Sequence, residues 1–510
     1  MAEQQGDPKI PLVVGLQSRN GNMAGGQIID AALVNAFIEP TAFGPAVVKR
    51  PGSRYMNSAD TSYGAPTGAF YAPGGNPGNW WYITGNTLSC SGSNVAYTLS
   101  PGINPGAGQL YDFATGLNSG IVLIHSPNAL WVFNATLGTA PVRVTDANYP
   151  ALTVPGVVSL DSTWYVMDTS GKIWSSNTGD PTTWSALNFV QIDAGLGTPV
   201  ALHRHLNYVV AFATNGLQLF YDAGNSPPGT PLLPVANATF KMGCYSAYSL
   251  CEFQDVTYFL ASPTDGGVVA MALSGLSLYP LSDAADNRVL SHNTSPITPA
   301  YGTLMGGKNL YIVSCGAGSF VYDVDVKKSY WWTQGTSTAA TLTYPGFLEV
   351  EFAPSSGPAV VLQDYNTGLL LMVSSDWYTD RQSNGLQGGA LNSLAVNVTA
   401  LDGENFSGSF TGAYIPVVVQ SVPWDGGTLK RKFVPALHLI ADTASTTVYV
   451  SYSDDDYQTF STPAPINLAS QRKQVLRCGS TRRRAWQFTH SDNSPLKLYA
   501  AEVELVLGAE

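Results

Sequence analysis

Apolar positions along this chain fall in short continuous blocks separated by turn residues, and the blocks recur. Seven times between Trp80 and Met372 an aromatic- or aliphatic-rich run meets a Gly/Asn/Pro/Asp turn, and a second apolar run follows. With Tyr82, Val122, Tyr165, Val209, Tyr258, Tyr311 and Val360 as markers, the spacings are 40, 43, 44, 49, 53 and 49 residues. The strongest runs are apolar at every position rather than alternating, as strands covered on both faces require. A four-stranded antiparallel blade takes roughly 40–50 residues and cannot bury both its faces alone. Blades set around an axis bury each other and leave only short edges. The pattern predicts an all-β chain whose centre, residues 67–380, is a β-propeller of six or seven blades. A large β-sandwich or solenoid is the competing architecture.

The pattern changes after residue 380. Residues 381–399 read as a polar Gly/Asn/Gln linker, and beyond them come strands with alternation or β-branched enrichment at 394–398, 415–419, 446–450 and 496–499. They predict a C-terminal β domain over 400–510. The N-terminal segment, 1–66, is expected to pack with it, so that the two ends form an additional β-rich platform domain. Residues 10–14 suit an edge strand, where Pro11 is tolerated. With 51 Gly and 33 Pro, little room is left for helices; short candidates are 29–37 and 283–291.

Composition narrows the class. Apolar residues at 45% and aromatics at 11% supply ample core, so the chain is globular. It holds no apolar run of about 18 residues. Its first residues lack the basic and apolar regions of a signal peptide, so synthesis in the cytosol is expected. Cys90, Cys244, Cys251, Cys315 and Cys478 are odd in number and scattered, which suggests reduced, mostly buried thiols. Charge is uneven: residues 55–399 hold nine Lys/Arg against 20 Asp/Glu, whereas 400–510 hold ten against 11. The repeat region therefore lacks the basic footprint of a nucleic-acid-binding surface. An acidic wall could still let DNA slide past without sticking.

Candidate chemistry is sparse. His203 and His205 share one side of a strand, a start for a metal pair, but no third ligand is identifiable and Arg204 lies between them. Glu349 and Glu351 lie on one face of one strand, and Glu252 and Asp255 read as a strand edge and loop. Neither pair has the look of the two carboxylates a glycosidase needs. Residues 453–460 approximate the Asp-box of sialidases, a turn motif that marks structure rather than catalysis. No HExxH, Walker or GxSxG pattern occurs. No enzyme, cofactor or metal site is expected. Lys430-Arg431-Lys432 and Arg482-Arg483-Arg484 are the dense basic runs, suited to a protein–protein seam, to passing DNA phosphates, or simply to a solvated strand face.

Both ends of the chain carry a resemblance. Leu33-Val34-Asn35, Phe37, Glu39-Pro40 and Lys49-Arg50-Pro51-Gly52, with residues 451–461, Arg482–Arg484 and the finish at 500–505, resemble the packaged-DNA stabilisation, or tail nozzle, proteins of short-tailed bacteriophages. Tyr457 departs from that pattern, which usually has Gly there. The resemblance implies a structural virion protein of the tail, a homo-oligomeric ring, usually of six copies. It would sit below the adaptor (head-to-tail connector) ring beneath the portal, extend the DNA channel, retain the packaged genome and conduct it during ejection. Implied partners are the adaptor protein, tail fibres or spikes, and genomic DNA passing without sequence-specific binding. Lys49, Arg50, Lys430, Arg431, Lys432, Arg482, Arg483 and Arg484 are the candidate subunit or adaptor contacts. A propeller-type glycan-active enzyme or a carbohydrate-binding propeller remains the alternative.

Overall fold

A computed structural model describes residues 8–12, 32–42, 44–55, 66–72, 74–77, 80–90, 95–99, 110–115, 120–225, 228–263, 266–292, 299–315, 318–333, 351–352, 359–363, 370–380, 398–399, 405–406 and 413–508. Each marker residue lies on the second strand of its own antiparallel sheet, and there are seven such sheets. Blade one runs Pro66–Tyr71, Trp80–Thr84, Thr87–Cys90, Ala96–Thr98; blade two Asp112–Thr115, Ile121–Ser126, Ala129–Asn134, Val142–Arg143. Blade three is Thr153–Leu160, Thr163–Asp168, Lys172–Asn177, Asp180–Gln191; blade four Pro199–His205, Tyr208–Ala213, Leu217–Asp222, Leu232–Phe240. In blade five, Gly243–Cys244 and Cys251–Phe253 both pair with Val256–Ser262, followed by Val269–Ser274 and Ser277–Pro280. Blade six is Tyr301–Met305, Lys308–Cys315, Gly318–Asp323, Lys328–Trp332.

Blade seven closes the ring with strands from distant parts of the chain. Glu351–Phe352, Ala359–Gln363 and Leu370–Ser374 are completed by Gly52–Tyr55, which pairs Val373 with Ser53 and Met372 with Arg54. The chain is thus an all-β propeller of seven antiparallel units, six with four strands and blade five with five, and part of its N-terminal run is spent inside the propeller. Ala359–Gln363 also lies against Pro66–Tyr71 of blade one, so the ring is continuous.

The inner strands crowd as blades converge on the axis. At Gly156, with φ +106°, a methyl group would overlap the Leu202 carbonyl of blade four. Only glycine admits both that backbone conformation and that approach.

Outside the blades, two larger sheets enclose a shared core. One sheet is ordered Ala36–Thr41, Gly44–Lys49, Lys497–Val503, Ala436–Ala441, Gln474–Leu476, with Lys9–Ile10 also on Lys497–Val503. The other is ordered Ala32–Val34, Val417–Gln420, Ala485–His490, Thr447–Ser453, Ala464–Asn467. This second sheet continues from blade six, because Val34 pairs in parallel with Trp331. One buried cluster spans both sheets and blades six and seven, and includes Val47, Val419, Val450, Trp486, Leu498, Trp332 and Leu371. Platform and propeller therefore share a hydrophobic core rather than meeting across a wet seam.

Two short helices were candidates from composition, and the structure separates them. Ala284–Ser291 is an α-helix, capped by Asp283, whose side chain accepts from the Ala285 and Asp286 amides. The segment 29–37 is not helical where it is described: Ala32–Val34 and Ala36–Thr41 are strands, divided by Asn35 at φ +57°. Its apolar residues are buried on both strand faces, which no single helical stripe allows. The 381–399 linker lies almost wholly outside the described residues.

Candidate functional site: the platform junction and its basic corner

Where strands from both chain ends meet blades six and seven, a set of buried polar groups is bonded together around Arg50. Arg50 is inaccessible to solvent, and its guanidinium grips Asp380 with two bonds, 2.8 Å from Nη1 and 2.5 Å from Nη2. Nη1 also donates to Pro51 O, Nη2 to Thr333 O, and Nε to Asn35 Oδ1 at 2.9 Å. Asn35 in turn accepts from the Thr333 amide at 2.7 Å and donates to Thr333 Oγ1 and Pro416 O. A short polar side chain that tolerates the left-handed region is what this bend needs. These bonds tie positions 35, 50, 333, 380 and 416 into one knot. Gly52 beside it donates to Trp377 O at 2.7 Å, and a methyl group on it would strike the Thr379 backbone.

Lys49 is buried next to this knot. Its ammonium donates to Asp492 O at 2.6 Å and lies 5.8 Å from the Tyr378 ring. Burial, reinforced by the neighbouring Arg50 charge, pushes its pKa down to about 7. His490 is held near 4 chiefly by burial, then by Lys49; its Nε2 meets Thr446 Oγ1 at 2.9 Å.

The C-terminal motif also folds inward. Asp455 Oδ1 accepts from the Thr459 amide and from Ser453 Oγ, while Thr459 Oγ1 donates to Oδ2; bonds to Thr459 hold the carboxyl near 2. This is an Asx-type turn, and it binds only itself. Tyr457 takes φ +68°, a conformation that favours glycine. The tyrosine offsets that strain by burying its ring and donating from its hydroxyl to Ser421 O at 2.9 Å. Arg484 lies over the Tyr452 ring at 3.7 Å, clasps Asp454 with two bonds of 2.7 Å, and donates to Cys478 O.

Of the eight basic residues proposed as interface contacts, Lys49, Arg50, Lys432 and Arg484 are buried within the chain and present no surface to a partner. Of the first triplet only Lys432 lies on a strand, and Arg482 and Arg483 bend between Ser480–Thr481 and the Arg484 bridge to Trp424, so each run turns one member, Lys432 or Arg484, inward. Lys432 Nζ, for example, donates to Thr428 O and Lys430 O, and burial lowers its pKa. Lys430, Arg431 and Arg482 are exposed, and Arg483 is half-buried, 3.7 Å from Asp456. Pairing of Lys432 with Thr481 brings the 430–432 and 482–484 runs to one corner of the platform, away from Lys49 and Arg50.

The remaining candidates sort as follows. His205 is tied to Thr257 Oγ1 at 2.9 Å and Gly275 O at 3.0 Å, and burial lowers its pKa; His203 is held near 4, again by burial first. Among the described residues no three His, Cys, Asp or Glu side chains gather to hold a metal. Glu252 accepts from the Leu206 amide at 2.9 Å and so braces blade four against blade five. Glu349 and the Glu351 side chain lie outside the described residues. Among the described residues no helix is long and apolar enough to cross a membrane. Asp380, Asp454 and Asp286 escaped sequence reading. Asp286 is buried, accepts from Trp331 Nε1 and Ser329 Oγ, and is pushed up to about 6, first by burial and then by Asp283.

Comparison with known proteins adds the following. No curated protein matches the chain. Among solved structures, the N-terminal domain of Nup159 is 10% identical, covering 68% of this chain and 99% of its own, at a TM-score of 0.39. The Neurospora crassa Pan2 WD40 domain is 12% identical (64% and 95%, TM-score 0.39), and BamB from Moraxella catarrhalis 13% (66% and 96%, TM-score 0.33). Similarities this distant carry nothing about function. The family model described as Phage_stabilise, bacteriophage P22 Gp10, β-propeller, matches residues 74–352, more than half of the sequence. The chain therefore belongs to the phage stabilisation family of the bacteriophage P22 Gp10 β-propeller.

Proposed function

We propose that this phage structural protein is a subunit of the tail nozzle: copies form a ring below the adaptor, continue the DNA channel, hold the packaged genome and conduct it on ejection. The family match across residues 74–352 carries this reading. The geometry agrees with a load-carrying role. Propeller and platform share one core, and the ring of blades is closed by a strand anchored through Arg50 and Asp380. Such a body transmits force without hinging. The protein acts as a scaffold and not as an enzyme, working through shape, contacts and an acidic wall. Lys430, Arg431, Arg482 and Arg483 supply part of the contact between copies or with the adaptor, and fibres or spikes attach elsewhere on the ring. Light scattering and negative-stain microscopy of the purified chain, alone and with adaptor rings, test this. A ring of about six copies is the expected result. A strict monomer that ignores the adaptor would overturn it.

A further inference from the structure

One edge of the platform strand Lys497–Val503 is finished by residues from the other end of the chain. Gly44–Lys49 pairs with that strand only at Leu498 and Lys497. Beyond them the edge passes to Lys9–Ile10, with Lys9 opposite Glu502 and Ile10 opposite Ala501, and the Val503 amide donates to Pro8 O at 2.9 Å. Residues 8–12 alternate as a half-buried strand does. Ile10 and Leu12 are 4% and 3% exposed, inside the cluster that joins both platform sheets to blades six and seven, while Lys9 and Pro11 are exposed. Pro8 and Pro11 have no amide hydrogen, so the strand ends the sheet rather than templating another.

The seat is apolar and is filled by a segment that pairs over only two residues. Residues 13–31, 19 positions, separate Leu12 from Ala32–Val34, whereas connections in compact domains usually take about 4–6. A stretch of that length extends to at most about 65 Å, roughly one molecular diameter for a chain of 510 residues. The same arm can therefore reach the same seat on an adjoining copy.

We propose that residues 8–12 are exchanged around the ring, the arm of each copy seating on the Lys497–Val503 edge of the next. The seat itself fixes the occupant, because this chain's Ile10 and Leu12 are what fill it. An arm from a neighbour makes the same pairing and buries the same two side chains, so exchange loses no contact. In the assembled ring the neighbouring seat stands at high effective concentration. Each copy gives one arm and receives one, so the contact runs head to tail and closes with the ring. This rests on the ring reading above and names a segment that locks the ring.

Lys9→Cys/Glu502→Cys tests it. Residues directly opposite in an antiparallel pair lie about 4.5–5.5 Å apart at Cα, within reach of a disulfide. Rings of the double variant, oxidised and then unfolded without reductant, should run as covalent multimers up to the full ring, and neither single variant should do so. A band of one chain length from oxidised rings would overturn exchange and leave the nozzle reading standing. Should the variant fail to fold or assemble, deletion of residues 1–12 gives a second measure. Its rings should dissociate at a protein concentration about 10²-fold higher than wild type, and a free peptide of residues 6–14 should fill the seat without restoring them. Full restoration by the peptide would show that filling the seat suffices, and would overturn exchange. A wild type that stays monomeric with and without adaptor rings would overturn both readings.

Discussion

The residues that carry the family resemblance at the chain ends have internal work. In Lys49-Arg50-Pro51-Gly52, the lysine and arginine are buried, the proline carbonyl accepts from Arg50, and the glycine abuts the Thr379 backbone. A buried pair contributes little net stability, yet removing one partner strands the other charge at a cost of about 3–5 kcal/mol. Arg50→Met should therefore lower unfolding free energy in denaturant titrations by about that amount, and Arg50→Met/Asp380→Leu should recover much of it. If the double variant is no better than the single, the pairing is not the source of the loss. Lys49 makes a separate prediction. The folded state binds its proton more weakly than the unfolded chain, since the pKa falls from 10.5 to about 7. Its contribution to stability thus rises with pH across that window and is lost as the lysine charges below it. The difference in stability between wild type and Lys49→Met should shift in favour of wild type from pH 7 to pH 10. A difference that does not change with pH would show that Lys49 stays charged in the folded protein.

At the scale of elements, the repeat was legible because it depends on local chemistry. All seven marker residues fall on second strands, since a strand sandwiched between blades must be apolar at every position, and that registers in sequence. The helix at Ala284–Ser291 was legible through its Asp283 cap and polar residues. Segment 29–37 misled because Ala, Leu, Val and Phe suit both helix and buried strand, and the Asn35 bend that decides between them is set by Thr333 and Pro416, far away in sequence. The partners of the basic runs were hidden for the same reason: Asp380 stands 330 positions from Arg50. Strand alternation would not have divided Arg482, Arg483 and Arg484, because the first two bend between Ser480–Thr481 and Ala485–His490 and the third is bridged to Trp424. Blade convergence gives the prediction at this scale. Gly156→Ala forces a side chain into the left-handed region and into the Leu202 carbonyl, so a loss of about 2–4 kcal/mol is expected by chemical denaturation. Gly179, also at positive φ but with open space around it, is the control: alanine there should cost only about 1–2 kcal/mol. Equal losses at both sites would remove close packing at the axis as the reason for Gly156.

At the scale of the whole molecule, charge separates the parts. The segment bearing the blades holds 20 acidic residues against nine basic ones, with exposed Arg204, Lys241, Lys327 and Lys328 scattered over it, while Lys430, Arg431 and Arg482 gather on one platform corner. A protein that gripped DNA along its path would need cations spread over the wall it shows, and each phosphate contact would steepen the salt dependence of binding. A conduit gains from the opposite arrangement, because repulsion keeps a moving polyanion off the wall. The assembled protein should therefore show no retention of duplex DNA in filter binding at 150 mM salt. Any binding at low salt should have a shallow slope against log salt, worth no more than one or two phosphates. Micromolar affinity at physiological salt with a slope worth six or more phosphates would require a basic lumen. Since the propeller cannot supply one, that result would mean that DNA meets the platform corner rather than passing the acidic blades, and the direction of the channel through the ring would have to be redrawn.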